Sequence, residues 1–214
     1  TMAGQAVIIS RTGFTNELGW EIYFRPNNDV EMLGDLIFEK GQRMGMILTA
    51  TPGFRCRRIE AGLLSAGQDF DHNCTPFSVG LGRFIDFEKN VDFIGRESLL
   101  EQDKRCRSWG LRVEDGIALR GHSIQKSGLS VGRVTSSTWS PFQVCGVGIV
   151  YMNNFDTGPG QIVDVHCSDQ KMHRGELCSL PMYDPEGKIV RGIDRTIPKE
   201  PRPWTGVSSK NGSG

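Results

Sequence analysis

From Arg105 to about Asp184 the sequence is cut into short apolar runs by glycine, serine, asparagine and proline, and this punctuation limits the fold more than any other feature. Residues 109–113, 129–135, 144–152, 161–166 and 176–180 each have the length and composition of a strand. Five strands at this spacing predict a small antiparallel barrel or sandwich. The 27 glycines among 214 residues fit a chain with many tight turns.

Upstream the texture is mixed. Residues 6–11 read as a strand, and 12–19 as a turn punctuated by Gly13 and Gly19. A second strand over 20–24 places Trp20, Ile22 and Phe24 on one face and Glu21 with Tyr23 on the other. Asn28 is the expected N-cap of a helix carrying Val30, Leu33, Leu36, Ile37 and Met44, with Gly45 as its stop. A second helix is expected over 53–64 and a short one over 95–102, with irregular chain between. The fold class is therefore α+β: an α+β region over 1–103, a small antiparallel β-barrel over 104–184, and an extended tail over 185–214 that ends disordered at 208–214. Because residue 1 is followed almost at once by a strand, we expect the chain to be a piece of a longer protein.

Composition narrows the function classes. Lys and Arg number 25 and so do Asp and Glu, a balance that argues against a nucleic-acid partner. No run of about 18 apolar residues suggests a membrane span, and no signal peptide opens the sequence. The six cysteines are scattered without a C-x-x-C pair, so reduced thiols in a cytoplasmic setting are expected and a zinc cluster is not. There is no G-x-G-x-x-G, Walker loop, H-E-x-x-H or G-x-S-x-G. The pair His166 and Cys167 reads as a strand-edge histidine beside a buried thiol rather than a metal site.

Glu21 is the one chemically suggestive residue. A carboxylate between Trp20 and Tyr23 can accept paired N–H donors of a flat heterocycle while the rings supply apolar contact. On the residues alone, a solvated strand-face glutamate is the simpler reading. Arg57 with Glu60 reads as an i, i+3 helix pair worth about 0.2–0.5 kcal/mol. Arg58 stays open as a contact for an anionic ligand tail, and Arg133 either faces a site or is a solvated strand arginine.

Five segments in order resemble the glycine cleavage T-protein family of tetrahydrofolate-dependent transferases. R-T-G-F-T-N-E-L-G-W-E-I (11–22) is similar to the family's R-T-G-Y-T-G-E-x-G-F-E-I, and R-I-E-A-G-L (58–63) to its R-L-E-A-G helix. T-P-F-S-V-G-L-G (75–82), D-F-I-G-R-E-S-L (92–99) and V-G-R-V-T-S-S-T-W-S-P (131–141) resemble T-P-x-x-x-G-L-G, D-F-I-G-K-E-A-L and V-G-x-V-T-S-G-x-x-S-P, and L-P-M-Y (180–183) fits the closing strand.

The resemblance implies a folate pocket in which tetrahydrofolate is held by the glutamate matching Glu21. The candidate cofactor-binding set is thus Glu21, Trp20, Tyr23 and Arg58. It also implies that the family's catalytic aspartate belongs to an N-terminal portion, so no catalytic acid or base is assigned here. One departure matters: where glycine-cleaving members carry A-R-D-x-L-R-L-E-A-G, residues 53–62 read G-F-R-C-R-R-I-E-A-G, with Phe54 in place of a folate-contacting arginine. That departure favours a methyltransferase resembling dimethylsulfoniopropionate demethylase, taking a methyl group from a small donor. The alternatives are a glycine-cleavage aminomethyltransferase with a lipoyl-carrier partner, a non-catalytic folate-binding relative of the iron–sulfur assembly type (whose K-G-C-[YF]-x-G-Q-E segment is missing), and the folate domain of a flavin-dependent demethylating dehydrogenase.

Overall fold

The computed structural model describes residues 1–49, 51–196 and 200–206. Its first part opens with an antiparallel pair, β1 (Ile8–Ser10) and β2 (Glu21–Tyr23), registered Ser10 against Glu21 and Ile8 against Tyr23. Helix α1 (Val30–Gln42) is capped by Asp29, whose carboxylate accepts the Met32 amide at 3.0 Å. Asn28 instead closes the preceding turn, accepting the Arg25 amide at 2.7 Å.

Helix α2 covers Thr51–Glu60 rather than 53–64. It stops because Gly62 adopts a left-handed φ of +69° and the Leu63 amide turns back to the Arg58 carbonyl at 2.9 Å. A Cβ at Gly62 would lie 2.7 Å from Leu180 Cβ, so the turn also needs glycine for space. A 3₁₀ turn (Gly82–Phe84) and α3 (Arg96–Glu101) follow.

The second part is a closed antiparallel barrel. Its strands are β3 (Ser108–Val113), β4 (Ser123–Lys126), β5 (Leu129–Ser140), β6 (Cys145–Met152), β7 (Ile162–His166) and β8 (Met172–Cys178), in the order β3-β6-β5-β4-β7-β8, with β8 returning to β3. Leu111, Ile124, Val134, Val150, Met152 and Leu177 fill the interior. On the outside, Ile59 of α2 packs against Cys145, Val147 and Ile149 of β6. Strand β6 is thus covered on both faces, which is why it reads as a continuous apolar run rather than an alternating one.

A buried polar knot fixes α2 to the barrel. A bulge in β5 separates Val134, opposite Val150, from Ser136, opposite Ile149. The extra residue breaks the alternation, so the hydroxyls of Thr135 and Ser136 both reach Asp69 Oδ1, at 2.7 and 2.6 Å. Arg58 completes the knot, donating to Asp69 Oδ2 and to Ser136 Oγ, each at 2.8 Å.

The segment after Asp184 does not extend away from the body. Asp184 accepts the Lys188 and Ile189 amides, both at 2.8 Å. The Arg202 and Trp204 amides bond to the carbonyls of Phe142 and Gln143 at 2.8 and 2.7 Å. The expected disordered end, 208–214, lies outside the described residues. No helix among the described residues is long and apolar enough to cross a membrane.

Candidate functional site

The β1–β2 pair presents Glu21 and Tyr23 on one face, as alternation requires. The Tyr23 hydroxyl donates to Glu21 Oε2 at 3.0 Å, and the Thr12 hydroxyl donates to the same oxygen in a short contact. Both of these bonds fall on Oε2, and none to Oε1 is seen among the described residues. Trp20 belongs to the other face, where the Arg11 guanidinium covers its ring at 5.2 Å. Arg11 is held there by the carbonyls of Gly19 and Val190, at 3.0 and 2.8 Å.

The four sequence candidates therefore separate. Glu21 and Tyr23 are joined by a hydrogen bond, and Trp20 stacks with Arg11 instead. Arg58 is only 4% exposed and its guanidinium is committed to Asp69, Ser136 and the Leu63 carbonyl. The anionic tail considered for Arg58 is replaced by an internal carboxylate, because helix α2 turns this side chain inward against the barrel.

Residues that sequence reasoning passed over form a second centre. The Arg57 side chain, treated as one half of a helix pair, reaches three carboxylate and aromatic partners. Its Nη1 bonds to the buried carboxylate of Glu60, its Nη2 to Glu17 in a short contact, and its guanidinium stacks on the Tyr183 ring at 4.3 Å. Burial alone would lower the Arg57 pKa, but Glu17, Tyr183 and Glu60 outweigh it and hold the pKa above the ordinary arginine value. Glu60 in turn accepts from Ser140 Oγ in a short bond and from Gln143 Nε2 at 3.3 Å. The sequence signal for this centre was weak. Only the short spacing of Arg57 and Glu60 was visible, whereas Glu17 and Tyr183 approach from 40 residues before and well after it.

Two cavities flank Arg57. One, of about 650 Å³, is mainly apolar and includes Pro52, Phe54, Thr138, Trp139 and Pro141 in its wall. Phe54 is braced there by Phe14, with ring centroids 5.6 Å apart. The other, of about 440 Å³, is lined by Tyr183, Asp184, Ile189, Asp194, Thr196 and Arg202, together with residues shared with the first.

No nucleophilic thiolate is available at neutral pH among the shifted cysteines. Burial pushes the thiols of Cys56 and Cys167 up to about 11 and that of Cys145 up to about 12, and it raises Cys106 as well. No disulfide joins any of the cysteines among the described residues. His166 meets His122 edge-on at 5.9 Å, and no metal-ligating cluster occurs among the described residues.

Residues 1–89 match the model described as the GCVT N-terminal domain, and 107–184 match that of the glycine cleavage T-protein C-terminal barrel domain. The chain belongs to the glycine cleavage T-protein family. Within it, the chain is 34% identical to an aminomethyltransferase of Halothermothrix orenii over 85% of its own length and 51% of the relative's. It is 34% identical to the aminomethyltransferase of Streptomyces coelicolor, covering 86% of this chain and 51% of that protein. Against the aminomethyltransferase of Bacillus subtilis the identity is 32%, over 85% and 51%. The fold is also that of the glycine cleavage system aminomethyltransferase T from Bartonella henselae, with a TM-score of 0.71, 23% identity, and coverage of 86% of this chain and 51% of that one. The chain thus spans about half the length of the relatives it matches. These T-protein relatives are all named aminomethyltransferases, which favours the glycine-cleavage branch over the dimethylsulfoniopropionate-demethylase branch toward which Phe54 points.

Proposed function

We propose that this chain is the folate-holding and barrel portion of a tetrahydrofolate-dependent aminomethyltransferase. The observation that carries the proposal is the Glu21 carboxylate. Thr12 and Tyr23 donate to its Oε2, and no hydrogen bond to Oε1 is seen among the described residues. A carboxylate pre-oriented in this way suits the adjacent N–H donors of a pterin ring, a charge-assisted pairing with defined geometry. The names of the relatives support the activity, and the match of residues 1–89 supports Glu21 as part of the folate-side domain. The one-carbon donor in this reading is an aminomethyl group on a sulfur of a lipoyl-carrier protein: its carbon passes to tetrahydrofolate as a methylene, its nitrogen leaves as ammonia, and the broken C–S bond leaves a thiol on the carrier. The chain's own residues would orient the acceptor rather than move a proton. We place the protein in the cytoplasm, the setting expected from its scattered cysteine pattern.

Glu21→Gln in the full-length protein is expected to weaken tetrahydrofolate binding by about 10- to 100-fold, the equivalent of a lost charged hydrogen bond of about 1.5–3 kcal/mol. Calorimetry measures this directly, and an unchanged Kd would remove Glu21 from the site. Supplying tetrahydrofolate with either an aminomethyl-loaded lipoyl carrier or dimethylsulfoniopropionate separates the two donor classes. Ammonia release with the first is the expected result. Methyl transfer from the sulfonium alone would overturn the aminomethyl reading.

A further inference from the structure

The turn that leads into Glu21 does not hold itself in place. Residues 11–20 separate Ser10, the end of β1, from Glu21, the start of β2. No main-chain hydrogen bond forms within residues 11–20 among the described residues. Ordering such a turn costs conformational entropy, which contacts from elsewhere must offset. Thr12 lies in it, and the Thr12 hydroxyl is one of the two donors on Glu21 Oε2. The placement of the turn therefore governs how the carboxylate is held.

Helix α2 supplies two of the anchors, through the Phe54 ring against Phe14 and through Arg57 paired with Glu17. The others come from one later segment, 183–192. The Tyr183 hydroxyl donates to the Thr15 carbonyl at 2.8 Å. Gly192 passes so close to Leu18 that a Cβ on it would lie 3.3 Å from Leu18 Cδ1. Arg11 makes the most direct tie. Its Nη1 donates to the Gly19 carbonyl at 3.0 Å, its Nη2 to the Val190 carbonyl at 2.8 Å, and its guanidinium covers the Trp20 ring. One side chain at the start of the turn thus joins the end of the turn to the chain beyond the barrel.

The anchoring segment is itself fixed. The two carboxylate oxygens of Asp184 accept the Lys188 and Ile189 amides, and the Ile193 and Asp194 amides turn back to the Lys188 carbonyl at 2.9 and 3.1 Å. The Val190 carbonyl is therefore a set acceptor. Only a planar fork can span two carbonyls and lie flat on a ring, and the ammonium of a lysine offers a point charge instead.

We infer that Arg11 is a positioning residue for the Glu21 carboxylate: by bridging the Gly19 and Val190 carbonyls it fastens the turn to the segment after the barrel and keeps Thr12 against Glu21 Oε2. The inference rests on the function proposed above, in which Glu21 meets the pterin. It brings residues 183–192 into the geometry of the folate side, although they follow the barrel in the sequence.

The test uses the full-length protein and two readouts. The first is tetrahydrofolate affinity by calorimetry in a double-mutant cycle. Arg11→Met should weaken binding by about three- to tenfold in the parent and by less than about twofold in a Glu21→Gln background, because Arg11 acts through Glu21. Arg11→Lys should lose as much as Arg11→Met, since charge without the fork does not span the carbonyls. The second readout needs no ligand: the NMR signal of the Thr12 methyl group, assigned by its disappearance in Thr12→Ser. Arg11→Met should shift and broaden this signal, and so should Asp184→Ala, which loosens the same anchor from its other end and serves if Arg11→Met is unstable. Parental affinity in Arg11→Met, an equal loss in both backgrounds, or full rescue by lysine would overturn the inference. If Glu21→Gln itself binds like the parent, the pterin assignment fails, and the Thr12 signal decides the anchoring alone. An unmoved signal in both Arg11→Met and Asp184→Ala would overturn it.

Discussion

Arg58 and Asp69 are 4% and 0% exposed, so each charge depends on the other and on its hydrogen bonds in place of water. Removing one partner strands the other. Asp69→Ala is expected to cost about 3–5 kcal/mol, because Arg58 would be left buried and uncompensated. Replacing both, as Arg58→Met with Asp69→Leu, should recover much of that loss, and urea unfolding midpoints would show it. A midpoint for Asp69→Ala equal to that of the parent would mean that the knot does not hold α2. Glu21 illustrates the opposite case. It lies on an exposed two-stranded sheet, so its removal should alter ligand affinity with little change in the unfolding midpoint. Two acidic residues in one chain thus differ in role because one is dry and the other is wet.

Strands β5 and β6 show how elements acquire positions that their residues alone do not declare. The β5 bulge turns Thr135 and Ser136 to one side, and without it only one of them could reach Asp69. Strand β6 requires glycine where the barrel wall is crowded. A Cβ on Gly146 would fall 1.9 Å from the Gly116 carbonyl oxygen, a backbone atom that cannot swing aside. Gly146→Ala should therefore destabilise the barrel by about 1–3 kcal/mol or more through overpacking, readable as a lower denaturation midpoint. An unaltered midpoint would show that the loop at Gly116 yields freely. Other element boundaries follow the same logic. Strand β4, with the single buried apolar residue Ile124, is too short for alternation to reveal it and exists because β5 and β7 pair with it on either side.

For the whole molecule, alkaline pH is the informative stress. In the folded chain Cys56 and Cys145 have pKa values raised from 9.0 to about 11 and about 12, chiefly by burial, with Glu60 adding to the effect at Cys56. Cys167 is raised to about 11 for the same main reason. The folded state therefore holds protons that the unfolded state releases first. The thiol contribution is fully present below about pH 9 and is lost as the pH rises through 11 to 12. Urea midpoints should stay level from pH 7 to 8.5 in a reducing buffer and fall steeply by pH 10.5. Cys145→Val, which removes one such proton without opening a cavity, should flatten the fall. An equally steep fall in that variant would assign the loss to other groups.

The sequence by itself determined the strand-rich second half, the α+β class, the family, and the face shared by Glu21 and Tyr23. Each of these depends on periodicity, punctuation or short motifs carried by neighbouring residues. Barrel closure, the bulge and the wrapping of the segment after Asp184 were decided only in three dimensions. So were the fates of two adjacent arginines on α2. Arg58 turns inward to Asp69, whereas Arg57 turns to Glu17 and Tyr183 between two cavities. Adjacent positions on a helix are about 100° apart, so one full change of environment separates them, and only the packed partners on each side decide which charge is buried against the barrel and which lines the cavities.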